Sequence, residues 1–307
     1  MSAARRTAIA VGALLLAGCG TASSTSPSLG SPAPSSTPPT SASAAPSAGD
    51  AASAAAVDVT GARWAHVHHL AYDGTALLLG THEGLYRQEP GRAPALLSDT
   101  PFDVMGLAYD RARWLASGHP GPGEDLPADL GLRTSPDGRV WTTVSLIGEV
   151  DFHRLTAASG TVLGVASHDA TLLRSTDGGD SWTALANPGL FDIALDPGQP
   201  TRAVATTPSG PVASKDAGTS WSPLSGAPLV AFVAWTQDRV VGVSSDGTVH
   251  ASEDGGATWT GRGNAGRQPA ALAADGERVA VLVGSSVRES RDGGDTFTDR
   301  ITGIGEH

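Results

Sequence analysis

Ser175-Thr176-Asp177-Gly178-Gly179-Asp180-Ser181-Trp182 decides the fold of this chain, because the stretch does not occur once. The same frame returns as Ser214, Asp216, Gly218, Trp221, then as Ser252, Asp254, Gly256, Trp259, then as Ser290, Asp292, Gly294, Phe297, at intervals of 39, 38 and 38 residues. A copy one residue short, Ser135-Pro136-Asp137-Gly138-Arg139-Val140-Trp141, starts 40 residues earlier, and Leu85-Tyr86-Arg87 marks a sixth unit that has lost the turn. A period of this length means one supersecondary unit per repeat, stacked on its neighbours. The chemistry of the repeated stretch is conformational. Its carboxylate accepts turn amides, its glycine takes positive φ, and its aromatic ring packs on the next strand. It therefore closes a hairpin, at Asp137, Asp177, Asp216, Asp254 and Asp292. Four of the seven Trp are consumed in this way, which leaves few for a sugar platform. The spacing lacks the glutamate that ends an EF-hand calcium loop.

Each period reads as four short strands, in the third unit Phe152 to Ala157, Thr161 to Ser167, Thr171 to Ser175 and Ser181 to Leu185. Six such units between about 62 and 302, each the size of a propeller blade, predict an all-β, six-bladed β-propeller over residues 57–307. The sequence leaves open whether residues 57–62 add a strand to the last blade. The frame Ser-x-Asp-x-Gly-x-x-Trp resembles the Asp-box (BNR) repeat.

The chain begins with the three parts of a secretory signal over 1–18: Arg5-Arg6, an apolar run from Ala8 to Ala17, then small residues. That run is too short to cross a bilayer. Leu16-Ala17-Gly18-Cys19 resembles the lipobox of bacterial lipoproteins, which implies lipidation of Cys19, the sole cysteine. Residues 19–56 are Ser, Thr, Pro, Ala and Gly with hardly any large apolar side chain, a composition that predicts a disordered tether. The expected address is the extracytoplasmic face of a bacterial cell membrane, with the membrane as a partner through the N-terminal lipid. Lys+Arg is 20 against 31 Asp+Glu, net charge −11, which argues against a nucleic-acid binder that must neutralise phosphate.

Aligned, the units are unequal. Unit one opens His66-Val67-His68-His69, unit two Asp103-Val104-Met105-Gly106, unit three Asp151-Phe152-His153-Arg154. His66, Asp103 and Asp151 fall in register, as do His68, Met105 and His153, whereas units four to six carry mainly apolar residues there, such as Phe191, Ala231 and Pro269. At the end of the second strand His82 and His119 are in register, with His168 one position away. In a propeller both positions emerge on one face beside the central channel, so the two sets should converge on one mouth over blades 1–3. Imidazole, carboxylate and thioether suit a transition metal, copper or zinc, before calcium or magnesium. The insertion His119-Pro120-Gly121-Pro122-Gly123-Glu124-Asp125-Leu126-Pro127-Ala128-Asp129 lies on the same face and reads as a lid or specificity loop. His69 is expected between blades, and His250 and His307 have no role.

The region after Val57 resembles bacterial secreted Asp-box propellers through His66-Val67-His68-x-Leu70-Ala71, Ser117-Gly118-His119-Pro120, Leu130-Gly131-Leu132 and Ser145-Leu146-x-Gly148-Glu149-Val150-Asp151-Phe152-His153. Members are commonly labelled glycosyl hydrolases of exo-α-sialidase type, so the resemblance implies a propeller and a glycosidase-like hydrolase. A sialidase site needs an arginine triad, a Tyr nucleophile with its Glu, and an Asp acid/base. Tyr72 and Tyr109 sit at the far end of their strands, Tyr86 lies on a third strand, and only Arg154 and Arg133 could reach a carboxylate. The catalytic candidates of some other hydrolase would be Asp103, Asp151, Glu149 and Arg154. The leading expectation is thus a membrane-anchored propeller that binds a small ligand, metal or glycan through His66, His68, His82, Met105, His119, His153 and His168. The alternatives are a glycoside hydrolase, and a scaffold resembling photosystem-assembly propellers that share these repeats.

Overall fold

The computed structural model describes residues 55–62 and 66–305, which belong to one compact unit. The signal segment, Cys19, nearly all of the tether and His307 lie outside the described residues. Six four-stranded antiparallel sheets follow one another along the chain, each built from consecutive strands. Their inner strands are Val67–Asp73, Asp103–Asp110, Phe152–Ala158, Asp192–Leu195, Val230–Trp235 and Pro269–Asp275. Each inner strand packs on the next, and the last packs on the first, so the sheets form a closed ring: a six-bladed β-propeller.

Burial explains the composition of each layer. The second strands, such as Ala76–Thr81 and Arg278–Val283, carry near-continuous apolar residues because neighbouring blades cover both of their faces. Outer strands such as Ala95–Leu96 and Ser222–Pro223 face solvent and are short. The repeated turn closes the third strand onto the fourth by side-chain bonding. In blade 3 Ser175 Oγ donates to Asp177 Oδ1 at 2.7 Å, Gly179 N–H donates to Ser175 Oγ at 2.8 Å, and Ser181 N–H donates to Asp177 Oδ1 at 3.0 Å. Gly178 and Gly179 take φ of 83° and 102°, and Trp182 Nε1 donates to Gly179 O at 3.0 Å. The same serine-to-aspartate and glycine-to-serine bonds recur at Asp216, Asp254 and Asp292.

Ring closure, which the sequence left open, uses no exchanged strand within a blade. Val57–Asp58 runs parallel to the outer strand of blade 6, with Val57 opposite Ile301, and adds a fifth strand there. Blades 6 and 1 are joined through side chains. Buried Arg300 donates to Glu289 and, at 2.6 Å, to Gln88 Oε1, while Tyr72 O–H donates to Glu289 Oε1 at 3.0 Å.

One irregularity matters for the site. In blades 1, 2, 3, 5 and 6 the inner strand carries a bulge near its start, at His68, Met105, His153, Ala231 and Ala270, and blade 4 has none. A bulge sets two residues against one of the partner strand and re-aims the side chains beside it.

Candidate functional site

The bulges aim at the axis. Val67, His68, Met105, His153, Arg154 and Ala270 line one cavity of about 250 Å³ at the mouth of the ring. His69, expected between blades, follows the bulge on the inner strand that borders the axial cavity below. Burial there pushes its imidazole down to about 4, with Arg154 and His68 adding to the effect, so it is neutral at pH 7.

Two His/Asp groups stand at successive seams. At the first, His68 Nε2 lies 3.4 Å from His82 Nδ1 and 3.7 Å from Asp103 Oδ1. His82 Nδ1 lies 2.8 Å from Asp103 Oδ2, so Nδ1 is the nitrogen that this ring turns to the group. His66 flanks this group, its ring 5.1 Å from that of His82. At the second seam His153 Nε2 and His119 Nε2 lie 2.7 Å and 3.4 Å from Asp151 Oδ2. In each group three ligand-type atoms fall within 4.8 Å of one another.

The second group has a charge problem of its own. Asp151 is fully buried, and its Oδ2 has no hydrogen-bond partner despite those two close nitrogens, because neither ring aims an N–H along the line to the oxygen. His119 Nδ1 donates to the carbonyl of Ala128 at 2.9 Å. A carbonyl only accepts, so the proton of the neutral ring is on Nδ1, and Nε2 keeps its lone pair 3.4 Å from a carboxylate oxygen, pointed off the line between them. Two acceptors that close need a proton or a cation between them. Donors on one tetrahedral zinc ion, with bonds of about 2.0–2.2 Å, lie about 3.3 Å apart with their lone pairs converging on the ion, off the donor–donor line.

The insertion holds the histidines of the mouth in place from outside. Besides the Ala128 carbonyl it offers Asp129, whose Oδ2 is 3.0 Å from His168 Nε2, a contact that raises the affinity of that imidazole for its proton. Glu124 takes the Gly121 N–H at 2.9 Å, and Gly148 N–H donates to Asp129 O at 2.7 Å, so the loop is tied to the blade at several points. His168 thus belongs to the loop contact and to neither triad. Arg133, considered for a carboxylate ligand, is buried over the Phe102 ring with Glu124 at 3.9 Å, and so faces a carboxylate of its own blade. Glu149 stands on the exposed turn after the fourth strand of blade 2. Met105 lines the mouth cavity between the two histidine bulges.

The sequence reading missed Asp192. It opens blade 4 opposite Thr206, accepts the Val233 N–H at 2.9 Å and faces Arg154 Nε at 3.6 Å. Burial raises its carboxyl, with Arg154 working in the opposite direction. Arg154 also donates to the carbonyls of Phe191 and His153, each at 3.0 Å. His250 approaches Ser244 Oγ at 3.2 Å on the third strand of blade 5, apart from both groups. Tyr109 is exposed at the far end of its strand.

No family model matches the sequence, and no curated protein matches it. Among solved structures, a GH74 enzyme of Niastella koreensis superposes with TM-score 0.56 at 16% identity, covering 76% of this chain and 45% of that one. A GH74 xyloglucanase from Xanthomonas campestris gives 0.51 at 16% identity, with coverage of 76% and 45%. The chain therefore spans less than half the length of these GH74 enzymes. A YCF48 protein bound to D1 peptide gives 0.47 at 17% identity over 77% of this chain and 81% of that one, too low a similarity to carry an argument. What these likenesses show of the chain is its fold, a β-propeller.

Proposed function

We propose that this chain is a lipid-anchored, extracytoplasmic β-propeller that binds zinc or copper at the His/Asp mouth over blades 1–3. The observation that carries the reading is the buried, partnerless Asp151 Oδ2 within 2.7 Å and 3.4 Å of two imidazole nitrogens, one of them a lone pair by virtue of Ala128. A divalent cation answers that arrangement, and the indirect hold on His119 through a backbone carbonyl is the usual way a metal-binding imidazole is oriented. Two imidazoles and a carboxylate suit zinc, and Met105 on the wall of the same cavity adds a soft donor suited to copper. The turns at Asp177, Asp216, Asp254 and Asp292 are read as Asp boxes with a purely structural task.

The test is metal content. The full chain, solubilised in detergent and carrying no histidine tag, is analysed by mass spectrometry for zinc and copper before and after chelation, beside a His119→Ala, His153→Ala variant. Bound metal that the variant loses is the expected result. Wild type with no more metal than the variant overturns the reading. The anchor is tested in the same strain: Cys19→Ala moves the protein from the membrane fraction to the soluble one, and an unchanged distribution refutes lipidation.

The second reading is a glycoside hydrolase. Its support is the propeller shared with GH74 enzymes and the carboxylates of Asp103 and Asp151 at a mouth. Turnover of a glycoside that Asp103→Asn or Asp151→Asn abolishes while the fold is kept would favour it, and a metal-free wild-type protein would make it the first assay.

A further inference from the structure

We propose that the mouth holds two metal ions, one at each of two successive seams, each bound by two histidines and one aspartate. The inference rests on the metal reading above and deepens it. The two groups, His68/His82/Asp103 and His119/Asp151/His153, share no residue. They nevertheless follow one rule. At both seams an aspartate at the start of the inner strand of one blade, Asp103 or, one residue before the strand, Asp151, meets a histidine at the end of the second strand of the blade before it, His82, one residue past the strand, or His119. At both a bulge histidine completes the set, from the earlier blade at the first seam and from the later blade at the second. The groups are contiguous, since Asp103 and His119 are direct cross-strand partners in blade 2.

Each group also carries the mark of an absent positive charge. Asp103 Oδ1 and Asp151 Oδ2 are buried and lack hydrogen-bond partners. One unsatisfied carboxylate oxygen could be an accident of packing. Two, at equivalent positions and each facing histidine nitrogens, follow a pattern. Three donors per ion leave one position of a tetrahedron for an exchangeable ligand, as in open rather than structural zinc sites. The histidines that would border it reach solvent: His82 and His153 are each 44% exposed, and His68 and His153 line the same mouth cavity. The ligand class that fits is a water molecule or small oxyanion entering from that cavity, and neither ion should be sealed in.

The experiment counts ions. Native mass spectrometry of the full chain titrated with zinc should resolve two ions per chain, both removed by a chelator while near-ultraviolet circular dichroism stays unchanged. His82→Ala should retain one ion and His153→Ala should retain one, with the double variant retaining none. A wild-type protein that saturates at one ion overturns the two-site inference and leaves the metal reading standing. So does the loss of all zinc in either single variant that keeps its fold. A wild-type protein that binds none defeats both. The wild-type count needs no variant, so a variant that misfolds does not decide the question.

Discussion

Asp151→Asn should raise the stability of the metal-free protein and halve the stabilisation that zinc provides. The opposite directions of the two effects make the substitution informative. In the metal-free state at pH about 8, where an ordinary imidazole is neutral, Asp151 Oδ2 is buried with no aligned hydrogen-bond donor and the His119 lone pair 3.4 Å away. An unsatisfied buried acceptor costs about 1–3 kcal/mol. A neutral amide in its place removes the buried charge and with it the larger part of that penalty. At roughly 2–4 °C per kcal/mol for a domain of this size, the metal-free variant should melt at least about 2 °C above wild type. With zinc at about 100 times Kd each site adds about 2.7 kcal/mol. The zinc-induced rise in Tm should therefore be about twice as large in wild type as in the variant, which keeps only the site at His68, His82 and Asp103. Differential scanning calorimetry of both proteins, with zinc and with chelator, measures all four values. A metal-free variant that melts below wild type, together with an equal zinc response, would refute the reasoning, because Asp151 would then be an ordinary structural acid.

Gly106→Ala places a methyl group against the Phe152 carbonyl oxygen, inside contact distance, and 3.2 Å from Leu155 Cβ. Overpacking of this kind costs about 1–3 kcal/mol, and because Phe152 lies between Asp151 and His153 the variant should also lose zinc affinity. Gly242→Ala, which meets Val230 Cγ1 at 2.8 Å in blade 5, should cost similar stability and leave zinc binding intact. Equal affinities in the two, by calorimetric titration, would separate the Phe152 backbone from the site. Arg300→Met takes from buried Glu289 the buried one of its two cations, between blades 6 and 1, and leaves it the more exposed Arg291 and the Tyr72 hydroxyl. A broken buried pair costs about 3–5 kcal/mol, so Tm should fall by at least about 6 °C, and a fall below 2 °C would mean the ring is closed by apolar packing alone. Asp254→Asn tests the turn. The Thr258 hydroxyl and amide hold the Asp254 carboxyl down at about 2, below the about 3.9 of an unfolded chain. A depressed carboxyl stabilises the fold above pH 4 and ceases to do so as pH falls through 2. The Tm gap between wild type and variant should accordingly be full at pH 7 and shrink between pH 4 and pH 2, and a gap independent of pH would exclude the charge as its cause.

The blades were legible because their chemistry is local. Ser175, Asp177 and Gly179 satisfy one another within five residues, so their spacing is enough to announce a hairpin. Alignment of the repeats then put His66, Asp103 and Asp151 in one row and His68, Met105 and His153 in another. What alignment could not give is contact across seams. That His82 meets Asp103, and His119 meets Asp151, depends on how one blade leans on the next. Asp192 was passed over because blade 4 lacks the bulge, so its start reads as Phe191 when the other units set the frame. Nor does strand position show that Arg133, a candidate for reaching a carboxylate ligand, lies over the Phe102 ring beside Glu124 of its own blade. The Ala128 carbonyl left no trace at all, being a backbone group whose role follows from the path of the insertion. The pairing of Val57 with Ile301 was equally silent, since its partners are distant in sequence.

Asp192 also explains where the site ends. Blade 4 opens with an aspartate as blade 2 does. The histidine at the end of the second strand of the blade before it, His168, is turned to Asp129 instead. The charge of Asp192 is balanced by Arg154, a permanent cation on the neighbouring blade, with the Val233 amide as a second donor. At that seam the carboxylate is answered from within the protein. At the two seams before it the carboxylates face imidazoles, which supply lone pairs as readily as protons and leave Asp103 Oδ1 and Asp151 Oδ2 without donors. Three adjacent seams of one repeating architecture thus solve the same burial of negative charge in two ways, and only the histidine solution leaves room for an ion from outside. If that contrast is the right account, Arg154→His would not simply weaken blade 4. It would turn the third seam into one whose aspartate lacks a permanent cation, and zinc should then protect the variant against thermal unfolding by more than it protects Arg154→Met. An equal zinc response in the two variants would mean that an imidazole beside a buried aspartate is not sufficient here, and that the bulge missing from blade 4 is the indispensable part.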